Sequence, residues 1–516
     1  MRLNLSRGRH EHAICERHSA QVKRRSKGVK MSTDLTQVGA ELTLTVEAAA
    51  LSGKTLSRLP DGRVVWLDGA LCIGDEGVFR ITKLRKKSAE ATLVSLTQPD
   101  ARRVEPFCPH VERCGGCPWQ AIPSATQVEA LSVDLDRSLS RASGVERGTL
   151  NWSAPFVSEE RAWRHTARLH LEGRAGALRL GFIGREGVFQ LDHCPTFAPT
   201  LNVALRTLNE RLLPKLSALD VTLKGELRLS ASRDAQTGTA SLSLKSPLSA
   251  SQAHAIEGAL QGCLESGEGL HGLHLSYRLE EARARPARHP KAREKRRERA
   301  PLHTQAKNAL IHKRWGTPSN QLTTPHPAQA FMQAHQEGNE ALVAEVIRRT
   351  SGARSILELY SGSGNLSVAL AEQDPARELI CVEGDEEATR SLKLLAQERG
   401  LRHLKARRLN LHTPPEELLE RFLKGELVHL ILDPPRAGAR ELIDRLATLA
   451  NERPELIPLG HRAEITYISC HPAALARDVE SLVEVGWSLR NPKLFHLFPH
   501  TGHAEVCVTL SRESKP

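Results

Sequence analysis

Ser355–Gln373 reads SILELYSGSGNLSVALAEQ, and this stretch decides the fold. An apolar run leads to Tyr360, a turn follows over Ser361–Gly364, and good helix formers begin at Asn365. A strand that feeds a helix through a glycine turn is the opening unit of a doubly wound α/β sheet. Gly362 and Gly364 leave the backbone free to approach a ligand at the helix N-terminus. A dinucleotide fingerprint would place a third glycine at 367, where the chain has Ser367. Glu358 stands four residues before Gly362. A carboxylate there favours a cationic cofactor, S-adenosylmethionine, over a diphosphate.

The alternation continues to the end of the chain. From Pro325 a helical stretch, Ala328–Arg349, precedes the glycine turn. After it come ELICVEG (Glu378–Gly384), HLKARRLN (His403–Asn410), VHLILDPPRAG (Val428–Gly438) and EITYISC (Glu464–Cys470), separated by helical runs. The last strands fall near Leu494–Phe498 and Glu505–Leu510. Glu383 ends the second strand, where an acid can hydrogen-bond a ribose diol. Asn410, at the next strand end, is placed to read an adenine. Asp433 begins a rigid rim, because Pro434 and Pro435 cannot continue a ladder. The same rim presents Arg436.

Cys470 ends the strand EITYISC. Alone it reads as a buried strand cysteine, since free Cys is among the most buried residue types. Its neighbours change that. FPHTGHAEV (Phe498–Val506) brings His500, His503 and Glu505. A thiolate, a carboxylate and a methyl donor point to one chemistry, methylation of a pyrimidine at C5. A thiolate adding to C6 makes C5 enolate-like, so that it can take a methyl group. A base must then remove the C5 proton before the thiol leaves. Cys470 is the nucleophile in this scheme and Glu505 the base. The target base must leave its stack to be reached.

Outward from the C-terminal unit, 516 residues imply about three domains. The net charge of +12 favours a polyanionic partner, nucleic acid first. No apolar run is long enough for a membrane span, and no signal-peptide core is present, so a cytoplasmic chain with reduced thiols is expected. Residues 1–39 read as a disordered basic extension with Cys15 incidental, and Met31 as an alternative start. Residues 40–98 carry short alternating strands and a basic edge at Arg80, Lys83, Arg85, Lys86 and Lys87. That is the pattern of a small OB-like barrel, a fold that grips single-stranded nucleic acid. Residues 99–324 read as an α+β central domain with a basic insertion at 281–316, where Arg283–Arg299 holds nine Lys/Arg against two Glu. Residues 325–516 form the doubly wound domain. Cys108, Cys114 and Cys117 follow a C-x5-C-x2-C spacing, and Cys194 in LDHCPTF is the candidate fourth thiolate. Four soft ligands suit a tetrahedral zinc or a [4Fe–4S] cluster.

These motifs, in this order, resemble the RNA 5-methyluridine methyltransferase family. The branch with an N-terminal TRAM domain and an iron–sulfur cluster, which includes the 23S ribosomal RNA uracil-5 methyltransferases, is the most similar. The resemblance implies a TRAM barrel at 40–98 and a [4Fe–4S] cluster on Cys108, Cys114, Cys117 and Cys194. It implies an S-adenosylmethionine site of Gln333, Tyr360, Asn365, Glu383, Asn410 and Asp433, with Cys470 as nucleophile and Glu505 as proton acceptor. It implies action on RNA, 23S rRNA first and the tRNA T-loop uridine second, and a monomer is expected. A non-catalytic RNA-binding assembly factor and a redox or sulfur-transfer enzyme are the readings outside this class. Three residues depart from the family pattern. His335 replaces an asparagine, Ser361 stands where a cysteine is common, and His471 follows Cys470 where an asparagine is common.

Overall fold

The computed structural model describes residues 37–184, 186–231, 238–266, 269–279, 311–316, 333–458 and 460–513. The basic extension through residue 36, including Cys15 and Met31, lies outside the described residues, as does the basic run Arg283–Arg299. No described helix is long and apolar enough to cross a membrane.

Six strands make the N-terminal unit: β1 Glu41–Thr45, β2 Ala48–Ala49, β3 Thr55–Arg58, β4 Val64–Asp68, β5 Glu76–Leu84 and β6 Ser88–Gln98. Their order is β1-β5-β6-β4-β3-β2. β1 and β2 are nearly continuous in the chain yet lie at opposite ends of that order, so the sheet closes on itself as a barrel. Alternation sends Leu42, Leu44, Val65, Phe79 and Ile81 inward and leaves polar residues outside.

The catalytic-type sheet has eight strands: β7 Ser153–Val157, β15 Ser355–Leu359, β16 Glu378–Glu383, β17 Leu404–Arg408, β18 His429–Leu432, β19 Arg462–Ser469, β20 Ser488–His496 and β21 Glu505–Glu513. The order is β17-β16-β15-β18-β19-β21-β20-β7. The strands from β15 to β19 run parallel, and β21 is antiparallel to both neighbours. Both faces are covered, so β15 and β18 are buried along their whole length. Leu357, Leu359, Ile380 and Val382 face one core, while Ile356, Leu379 and Cys381 face the other.

A segment expected within the central domain packs here instead. The helix Ser124–Ser143 lays Leu131, Leu135 and Leu139 into the same core as Leu475, Val479 and Leu482 of the helix Pro472–Glu484. Its leucines recur every four residues, which is the stripe a helix needs to cover a second helix. β7 then adds an edge strand parallel to β20.

The remaining central residues form a second sheet: β8 Thr166–Gly173, β9 Arg179–Gly184, β10 Gly187–Gln190, β11 Leu223–Ala231, β12 Gly238–Leu244, β13 Leu270–Tyr277 and β14 Ile311–Gly316, in the order β10-β9-β8-β11-β12-β13-β14. The helices Pro199–Thr207 and Ala250–Ser266 cover one face. β14 lies inside the span expected to be a basic insertion, and it pairs antiparallel with β13 as an ordinary edge strand.

Candidate active site

A cleft of about 2060 Å³ opens at the carboxyl ends of β15 to β19, where open α/β sheets bind ligands. Gln333, Tyr360, Asn365, Glu383, Asn410, Asp433, Cys470 and Glu505 all line it. The structure thus gathers into one space residues that are up to 172 positions apart in the chain, from Gln333 to Glu505.

The glycine turn forms one wall. Tyr360, Gly362 and Gly364 all have positive φ (65°, 54° and 103°). A Cβ on Gly364 would lie 2.5 Å from Leu392 Cδ1, so this glycine lets the helix Glu386–Glu398 pack close. A Cβ on Gly362 would meet nothing within 4 Å, because that position faces open space. The Glu383 carboxylate accepts from Gly362 N (2.9 Å) and Asp385 N (2.8 Å), so strand end and turn are tied together. Asn365 exchanges two amide hydrogen bonds of 2.8 Å with Asn339, which links the glycine-turn helix to the helix Gln336–Arg349.

Glu358 does not take the place expected of it. It is 1 % exposed, accepts from Ser367 Oγ (2.5 Å) and is absent from the cleft lining. Strand alternation explains this: Leu357 and Leu359 face one core, so Glu358 must point into the other. Burial pushes its carboxyl up to about 8. A group held largely neutral and sealed off gives no direct attraction to a cationic cofactor. Asp433 and Glu383 are among the acidic groups that do reach the cleft.

The opposite wall brings Cys470 and Glu505 together. In the antiparallel pair β19–β21, Ser469 lies opposite Val506. Cys470 is the residue after β19 and Glu505 is the first residue of β21, so both stand at the same end of this strand pair. Cys470 is half-buried, and Glu505 is 2 % exposed. Burial pushes the Cys470 thiol up to about 11, with Glu505 and Asp433 adding to the rise and Arg436 opposing it. Burial also holds the Glu505 carboxyl well above its ordinary range, helped by Asp433 and opposed by Arg436. Asp433 itself is raised to about 7 by burial. Two carboxyls and a thiol therefore share one guanidinium, and each of the three is held above its ordinary pKa.

Two departures from the family pattern have a local explanation. His335 caps the helix Gln336–Arg349, its Nδ1 accepting from Gly338 N at 2.9 Å. His471 caps the helix Pro472–Glu484, accepting from Ala474 N at 3.2 Å. Asparagine is a preferred cap, and in both places a histidine ring nitrogen performs the same duty. Ser361 is buried beside the glycine turn.

The four cysteines lie in one neighbourhood. The loop with Cys108, Cys114 and Cys117 packs on β9 and β10, where Arg113 sits over the Phe189 ring. Cys194 follows β10 and joins the same core. Burial raises the Cys108, Cys114 and Cys117 thiols, Cys117 to about 12, and each is raised further by Cys194. The buried guanidinium of Arg164 lies near them and also borders the cleft. Among the described residues, no three His, Cys, Asp or Glu side chains converge as ligands of a single metal ion.

The fold and cleft define a class first: a barrel-bearing chain whose C-terminal domain has the methyltransferase fold. Residues 35–94 match the model of the TRAM domain. The solved structure of the Pyrococcus abyssi tRNA (uracil-54, C5)-methyltransferase in complex with S-adenosyl-L-homocysteine shares the architecture. Its TM-score is 0.60 at 17 % identity, covering 91 % of this chain and 100 % of that one. More particularly, the sequence is 27 % identical over 489 residues to the 23S rRNA (uracil(1939)-C(5))-methyltransferase RlmD of Vibrio cholerae serotype O1 (strain M66-2), covering 90 % of this chain and 94 % of that protein. It is also 27 % identical over 498 residues to the protein of the same name from Marinomonas sp. (strain MWYL1), covering 95 % and 100 %.

Proposed function

We propose that this protein transfers a methyl group from S-adenosylmethionine to C5 of a uridine in RNA, with 23S rRNA as the substrate. The observation that carries the reading is that Cys470 and Glu505, close enough to interact electrostatically, line the same cleft as the glycine turn and Glu383. Similarity along most of the chain to 23S rRNA uracil-C5 methyltransferases supports the choice of RNA.

The residues divide the work by position. Glu383 takes the ribose diol, Asn410 the adenine, and Gln333, Tyr360, Asn365 and Asp433 surround the rest of the cofactor. The bound sulfonium supplies an electrophilic methyl group. Cys470 attacks C6 of the flipped uracil as thiolate, which makes C5 nucleophilic. Glu505 removes the C5 proton after methylation, and the Cys470–C6 bond breaks. Arg436 favours the thiolate, because it is the positive charge that opposes the high thiol pKa. The TRAM barrel, with Arg80, Lys83 and Arg85 on its strands and hairpin, holds the RNA backbone. The protein acts as a monomer in the cytoplasm, where its RNA is found.

Cys108, Cys114, Cys117 and Cys194 hold a [4Fe–4S] cluster in this reading. The donor set fits: four neighbouring thiols that repel one another when ionised need a cationic centre to compensate them. Anaerobic protein is expected to be brown, and Cys194→Ser colourless. A colourless, zinc-loaded wild-type preparation contradicts the cluster.

Purified protein with methyl-labelled cofactor should label a 23S rRNA fragment and leave tRNA unlabelled. Label on the tRNA T-loop alone would transfer the activity to that substrate. No label on any RNA would overturn the reading.

A further inference from the structure

The loop between β20 and β21 sets where Glu505 sits, and its hold comes from outside the C-terminal sheet. His500, in that loop, has a left-handed backbone (φ 66°), a conformation that is uncommon for a residue with a side chain. Its carbonyl accepts from Trp119 N at 3.0 Å, and the Phe107 ring lies edge-on against its imidazole, centroids 5.1 Å apart. Gly502 of the same loop touches the TRAM barrel: a Cβ added there would lie 2.3 Å from Gly53 N. One side chain grips the turn at two points. Gln127, on the first turn of the helix Ser124–Ser143 and 0 % exposed, accepts from His500 N through Oε1 (2.7 Å). Its Nε2 lies 3.1 Å from His500 Nδ1 and 2.7 Å from Ile122 O.

The acceptor role of Oε1 fixes which end of the Gln127 amide faces His500. The NH2 end must therefore donate, so His500 Nδ1 must accept, and the ring proton resides on Nε2. Burial agrees with a neutral ring, holding its pKa at about 4. Gln127 thus fixes both the backbone and the tautomer of a strained residue, five positions before Glu505.

We infer that Gln127 is a positioning residue for the base step: through His500 it holds the β20–β21 loop so that Glu505 meets C5 of the uracil bound to Cys470. The inference rests on the proposed uracil chemistry, and it assigns a catalytic consequence to a residue that touches neither substrate nor cofactor. Loss of the grip should slow proton removal while leaving thiolate attack and methylation possible. The methylated covalent protein–RNA adduct then accumulates.

The test compares wild type, Glu505→Gln and Gln127→Leu with substrate RNA and S-adenosylmethionine. Denaturing gels report the adduct, and labelled methyl release reports turnover. Gln127→Leu should lower kcat about 100-fold, the scale of a 1 Å misplacement, leave KM for the cofactor unchanged and raise the adduct fraction. Where Gln127→Leu does not fold, His500→Asn carries the same expectation, because asparagine tolerates the left-handed turn but lacks the imidazole Nδ1. Wild-type kcat in the variant, or loss of turnover and adduct together, overturns the inference. Failure of Glu505→Gln to accumulate adduct instead contradicts the assignment of the base, and so separates the two.

Discussion

At Cys470 the protein holds the thiol proposed as nucleophile above its ordinary pKa. Burial and the neighbouring carboxyls push the thiol up to about 11, and Arg436 is the charge that pulls it back. The signs lead to opposite expectations for two variants. Arg436→Ala removes the opposing cation, so iodoacetamide alkylation of Cys470 should move to higher pH. Glu505→Gln removes a negative neighbour, so alkylation should move to lower pH, while turnover falls by roughly 10²–10⁴ with loss of the general base. Mass spectrometry of the alkylated Cys470 peptide across pH measures both. Cys470 and Glu505 were legible in the sequence because each stands at the end of an apolar strand run. Glu358 misled, because its distance from Gly362 was read without asking which face of β15 it occupies. His500 stood out in FPHTGHAEV, but its contact with Gln127 carried no signal, because it joins residues 373 positions apart.

Among the elements, the glycine turn and its flanking strands were plain from periodicity, since a parallel sheet covered on both faces reads as continuous apolar runs. The helix Ser124–Ser143 and β7 were assigned to the wrong unit. Their pattern announces a helix and a strand, but nothing local says that the partners are the helix Pro472–Glu484 and β20, more than three hundred residues on. β14 was hidden by the basic composition before it. The turn itself supports a graded prediction. Gly364→Ala combines φ 103° with a Cβ only 2.5 Å from Leu392, so it should cost about 1–3 kcal/mol. Gly362→Ala has φ 54° and open space, so it should cost less, about 1–2 kcal/mol. Urea titrations rank the two.

The whole molecule is sewn together around buried neutral histidines. His335, His496 and His500 lie where the central segment meets the C-terminal sheet, and His429 lies within that sheet. Burial lowers all four from 6.5 to about 4. The unfolded chain takes up these protons below about pH 6.5, while the folded protein resists until about pH 4. Their contribution to stability is therefore intact above pH 6.5 and lost as the pH falls through that window. Thermal melts should show a lower Tm at pH 5 than at pH 7.5. The cleft on the methyltransferase-type sheet is bordered by Arg164 and His165 of the central segment, and Cys470 is proposed to bond to a uracil there. The most direct test incubates the full chain with S-adenosylmethionine and substrate RNA carrying 5-fluorouridine at the target position, where fluorine blocks removal at C5. Peptide mass spectrometry should find the nucleotide covalently attached to Cys470 in the wild type and no adduct in Cys470→Ala. An adduct on another residue, or RNA methylation that persists in Cys470→Ala, would contradict the account.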